Sequence, residues 1–105
     1  MFTNTEISAK VAKILDSARV GRLATCSNNR PHVVPVVFTY DHESGDIFIP
    51  IDEKKKKSGD PRDLRRIRNV LENANVAFLV DRYQEDWTQL FFVMITGVAQ
   101  VETLG

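Results

Sequence analysis

The residues best able to do chemistry in this chain are its clustered cations. Eight of the 14 Lys and Arg lie between Lys54 and Arg68, as the run Lys54 to Lys57 and then Arg62, Arg65, Arg66 and Arg68. A guanidinium presents a rigid fork of donors that matches phosphate or carboxylate, and neighbouring lysines add point charge. This chemistry suits an anion-binding edge made for the phosphate of a small molecule. The same pattern also suits a solvated helix face behind a lysine loop, or a module that grips nucleic acid or another polyanion. Against a polyanion partner stand a net charge of zero and the lack of aromatics interleaved with the basic residues.

No other catalytic set is present. Cys26 is the single cysteine and has no adjacent histidine, and the chain holds only two histidines, so neither a disulfide nor a zinc site is expected. No nucleophile elbow, metalloprotease helix or phosphate-binding loop pattern occurs. His32 follows Pro31 at a strand start and is a candidate polar contact. His42 falls in a hairpin turn.

The arginines need a helix to hold them. Asp60 suits an N-cap, Pro61 the first helical position, and Asp63 the first turn. At about 100° per residue Leu64, Ile67, Val70 and Leu71 form one apolar stripe, with Arg66 and Arg68 on its flanks and Arg62 and Arg65 pointing away. An earlier helix over Thr5 to Ala18 buries Ile7, Val11, Ile14, Leu15 and Ala18, capped by Thr3 or Thr5. Strands are predicted at Val20–Cys26, His32–Tyr40, Ile47–Ile51, Val76–Asp81 and Leu90–Glu102, five in all. Pro35 marks an edge or a bulge, and Gly97 a bend or a bulge. The polar loop Arg82 to Gln89 carries Tyr83 and Trp87, which suit a lid, a dimer contact or packing on their own barrel. The stripe Phe91, Val93, Ile95 is core or dimer surface.

With 105 residues, 43% apolar and 27% charged, one small globular domain is expected. No run approaches the length of a membrane span and the start lacks the layout of a secretion signal, so a cytoplasmic protein is expected, with no membrane or nucleic-acid partner.

The order VGRLATCSNNRPHVVPVVF, IFIPIDEK and RNVLENANVAFLVDRY, after an amphipathic helix, resembles the FMN-binding split barrel, the pyridoxamine 5′-phosphate oxidase-like superfamily. The DEK stretch, the arginine helix and RYQEDW most resemble its F420-dependent oxidoreductase branch. The resemblance covers residues 7 to 102. It implies a mainly β fold, an antiparallel Greek-key split β-barrel with an N-terminal helix and one crossover helix. It implies a homodimer with FMN or F420 at the subunit interface, and hydride transfer to or from a small organic substrate. By position the phosphate-binding basic pair falls on Arg65 and Arg66. The strand lying along the ring corresponds to Val34 through Thr39, with Val34, Pro35 and Val36 assigned to the cofactor and mostly backbone groups in use. Ile49 and Pro50 match the strand end that touches the cofactor, while Lys54 and Lys55 are assigned to the phosphate by charge. Relatives place a basic residue and a hydroxyl where this chain has Val34 and Ile49-Pro50, which points away from oxidation of pyridoxamine phosphate. Relatives also continue past Gly105 through a helix and a closing strand, so a domain spanning 1–105 without those pieces is expected.

Overall fold

The computed structural model describes residues 9–51 and 64–102. The chain runs α1 (Ala9–Ser17), β1 (Val20–Ser27), β2 (Arg30–Val37), β3 (Thr39–Asp41), β4 (Asp46–Phe48), α2 (Arg65–Glu72), β5 (Asn75–Arg82), a 3-10 turn (Trp87–Gln89) and β6 (Phe91–Val98). Four strands form one antiparallel sheet in the order β2-β1-β5-β6, and β3 and β4 form a separate two-stranded ribbon. The architecture is mainly antiparallel β with two helices, as expected of a split barrel.

Local chemistry explains the first hairpin. Asn28 and Asn29 sit at φ 53° and 62°, the left-handed pair that a two-residue turn requires, and Ser27 then pairs with Arg30. From there the register runs without interruption to Val20 opposite Val37, so Pro35 marks an edge strand and not a bulge. In β6 the register likewise passes through Gly97 opposite Val76 unbroken, so Gly97 does not mark a bulge.

The strand expected over His32–Tyr40 divides in two. Phe38 still donates its N–H to the Arg19 carbonyl at 3.1 Å, but its ring turns into the core and the chain leaves the large sheet for the ribbon. The described residues therefore hold six strands where the sequence pattern gave five. β4 stops at Phe48, which leaves Ile49 and Pro50 just beyond its end.

One face of the large sheet is the core. Leu23, Val36, Phe78 and Val80 pack with Leu15 of α1 and with Phe38, whose ring meets Phe78 edge to face at 4.9 Å between centroids. Val11, Ile14 and Ala18 join from α1 as their spacing predicts, and Phe91 and Ile95 join from β6, which places the Phe91 stripe inward. Among the described residues nothing covers the opposite face. Val20, Val33, Val37, Phe92, Met94 and Val98 are exposed on it around an ion pair of 3.9 Å between Arg22 and Asp81.

Candidate functional site

The phase of the β1–β2 ladder decides what β2 offers. Because Phe38 bonds to Arg19, backbone groups alternate so that those of Val36, Val34 and His32 turn toward β1, while those of Val37, Pro35, Val33 and Pro31 turn the other way. No strand lies on that other side among the described residues. The two prolines thus fall where no partner N–H is needed, and the N–H groups of Val33 and Val37 are presented outward together with four carbonyls. The expected site residues on this strand divide by role. Val36 is buried in the core, Val34 packs against it, and Pro35 is exposed on the outer side.

His32 lies on the core-facing side, paired across the ladder with Thr25. Its Nδ1 is buried with no hydrogen-bond partner, a polar atom at the head of β2 that a ligand or water would satisfy. Ile49 packs against the core cluster and Pro50 is exposed beside it. Lys54 and Lys55 lie outside the described residues, as do Arg62 and the cap expected at Asp60 and Pro61.

Helix α2 starts at Arg65 with Leu64 as its cap, and no side chain closes the cap. Its rotation differs from the apolar stripe read from the sequence. Ile67, Asn69 and Val70 are buried and Arg66 is half-buried, whereas Arg65, Arg68 and Leu71 face outward, Leu71 with 58% of its surface exposed. Arg66 therefore sits within the inward face and not on its flank, and Arg68 does not flank it at all. The inward face carries a polar seam to the end of β1. Asn69 Nδ2 donates to Thr25 Oγ1 at 2.9 Å, Asn73 Nδ2 donates to the Cys26 carbonyl at 3.0 Å, and Ser27 Oγ donates to the Glu72 carboxylate. Asn69 and Thr25 are only 2% and 3% exposed, and sequence reading missed both, because Asn69 lies opposite the apolar stripe of the helix.

Other expectations resolve plainly. Cys26 lies half-buried on the outer side of β1, not in the core, and lines an open groove of about 460 Å³ with Ala24, Ala77, Thr96, Gly97 and Val98. None of the expected site residues lines that groove. Tyr83 and Trp87 stand out from the surface, so neither packs on its own barrel. Among the described residues no group of His, Cys, Asp and Glu could hold a metal, and no helix is long and apolar enough to cross a membrane.

Comparison with known proteins bears on the same span. A family model described as pyridoxamine 5′-phosphate oxidase matches residues 8–104. A 5a,11a-dehydrotetracycline/5a,11a-dehydrooxytetracycline reductase of Streptomyces rimosus is 37% identical over 106 aligned residues, 99% of this chain and 66% of that protein. A FAD binding protein of Mycobacterium smegmatis shares the fold with a TM-score of 0.64 at 23% identity, over 87% of this chain and 65% of that one. A FAD-binding protein of Mesorhizobium loti does so with a TM-score of 0.63 at 25% identity, over 92% and 62%. The chain thus spans a little under two thirds of the length of these relatives.

Proposed function

Because the chain belongs to the pyridoxamine 5′-phosphate oxidase family, we propose that it binds a flavin or deazaflavin, FMN or F420, for an oxidoreductase that moves hydride between that cofactor and a small organic substrate. The observation that carries this reading is the open edge of β2. A planar heterocycle with donors and acceptors along its rim needs a row of fixed backbone groups, and Val33 and Val37 present N–H groups there beside the carbonyls of Pro31 and Pro35. The orphan Nδ1 of His32 is a further polar atom suited to the ring, and Val34, Val36, Ile49 and Pro50 give the apolar backing. Arg66, with Arg65 beside it and Lys54 and Lys55 in the preceding stretch, would take the phosphate.

Once bound, the cofactor supplies the redox chemistry. The protein's part is to fix the ring against β2, keep water from one of its faces and neutralise the phosphate, so no catalytic side chain is assigned. The Streptomyces reductase, at 37% identity, supports a reductive direction. The uncovered apolar face of the sheet supports a homodimer with the cofactor near the subunit boundary, and a chain with one unpaired cysteine suits the reducing cytoplasm.

The test is a fluorescence titration of the purified protein with FMN, F420 and FAD in parallel. Saturable binding at micromolar concentration or below is expected for one of the first two. Failure to bind any of the three would overturn the reading. A preference for F420 would direct the substrate search to deazaflavin-linked reductions.

A further inference from the structure

We propose that Asn69, through its hydrogen bond to Thr25, is a positioning residue that sets the rotation of α2 and so turns Arg66 toward the cofactor's phosphate. The inference rests on the phosphate site proposed above.

At about 100° per residue, Arg66, Ile67, Asn69, Val70 and Asn73 fall within one arc of roughly 160°, and this arc is the face α2 turns inward. The apolar residues alone would choose another face. Leu64, Ile67, Val70 and Leu71 centre roughly 100° away, and a helix rolled to bury all four, where Ile67 and Val70 alone are buried now, would carry Arg66 out to the flank. The observed rotation buries an amide and leaves Leu71 in solvent, which runs against transfer free energy unless the amide is bonded. The Asn69–Thr25 bond at 2.9 Å meets that condition at a site where water is excluded. Asn73 and Glu72, which follow on the last turn, tie the same end of the helix to Cys26 and Ser27. Arg66 lies one turn before Asn69, so the bond that fixes the roll of the helix also fixes the direction in which the guanidinium leaves it.

Loss of the bond should therefore act on the phosphate and not on the ring. Thr25→Val removes the acceptor at nearly constant volume, Thr25→Ser keeps it, and Asn69→Ala removes the amide and leaves the Thr25 hydroxyl without this partner. Each variant is titrated with FMN against riboflavin, which lacks the phosphate, and with F420 against its phosphate-free chromophore. Thr25→Val and Asn69→Ala should weaken the phosphate-bearing cofactor about tenfold, the scale of one misplaced charged hydrogen bond, and leave the phosphate-free form within about twofold. Thr25→Ser should match the wild type. Adding Leu71→Gln to Thr25→Val should recover most of the loss, because the leucine that competes for the buried face is gone; a role in folding alone would show no such recovery.

Equal losses for FMN and riboflavin would overturn the proposal, as would unchanged affinities in Thr25→Val and Asn69→Ala, or no recovery with Leu71→Gln. A wild type that binds FMN no more tightly than riboflavin, and F420 no more tightly than its chromophore, would remove the phosphate site and this inference with it. A wild type that discriminates, beside variants that discriminate equally well, would remove this inference alone.

Discussion

The tip of the Phe78 ring fills the space that a side chain on Gly21 would need. A Cβ built at Gly21 would stand under 3.0 Å from Phe78 Cε1, at 2.7 Å, and closer still to Cζ. Phe78 is itself held by the edge-to-face contact with Phe38 and is almost fully buried, so the ring has little room to withdraw. Gly21→Ala should cost about 1–3 kcal/mol, the usual scale of overpacking, and lower the melting temperature by several degrees. Shrinking the ring in Gly21→Ala/Phe78→Leu should make the two losses clearly less than additive in a double-mutant cycle. Additive losses would show that the close approach is not the reason for glycine here.

Two surface carboxylates should make stability depend on acid pH. Asp41 accepts from Ser44 Oγ at 2.9 Å and from the Glu43 N–H at 3.2 Å across the β3–β4 turn, and these bonds, the hydroxyl first, hold its pKa below the ordinary 3.8. Asp86 is held low in the same way by the Thr88 hydroxyl and N–H at the start of the 3-10 turn. A carboxyl whose folded pKa is depressed contributes stability in full above its unfolded value and loses it as pH falls through the folded one. The stability gap between the wild type and Asp41→Asn should therefore be steady above pH 3.8 and shrink below it. Urea denaturation at a series of pH values reads this directly, and a gap that stays constant down through that range would contradict it.

How much of this was legible depended on the range of the interaction that decides each feature. The core-facing stripe Val11, Ile14, Leu15 and Ala18 followed from spacing, because it is settled within a few positions. The break at Phe38 was not legible, since HVVPVVFTY is almost continuously apolar and the Phe78 ring that meets Phe38 comes from a later strand. The rotation of α2 was hidden for the same reason. Asn69 finds its partner 44 residues earlier, and an apolar wheel counts an asparagine as solvent-facing. Of the candidate site, the proline-marked edge of β2 was readable. That Val33 and Val37 carry the free N–H groups required the ladder phase, which one hydrogen bond at Phe38 fixes.

The uncovered sheet face yields a prediction about assembly. Phe92 is 72% exposed and Val98 70%, with Met94 between them on the same face of β6. An apolar row of this kind marks a contact surface, and a charge placed on it should block association while leaving the fold intact. Phe92→Glu, alone or with Met94→Lys, should convert a dimer to a monomer in light scattering with a nearly unchanged melting temperature. If the cofactor sits at the subunit boundary, the same variants should also lose affinity for it. A dimer that persists in the double variant would place the subunit contact elsewhere.

The arginines of α2 can be separated by the face each occupies. Arg66 is half-buried within the inward arc, whereas Arg68 points to solvent on the far side of the helix, although the two are only two residues apart. Net charge and proximity in sequence would give their removal equal effects, since long-range attraction between an exposed cation and a phosphate is largely screened at physiological salt. A direct hydrogen bond is not screened in that way and depends on direction. Arg66→Ala should therefore weaken FMN or F420 about tenfold or more, and Arg68→Ala about twofold at most, with riboflavin unaffected by either. Isothermal titration at two salt concentrations checks the distinction, because a purely electrostatic role would make both losses equal and both would fade together as salt is raised.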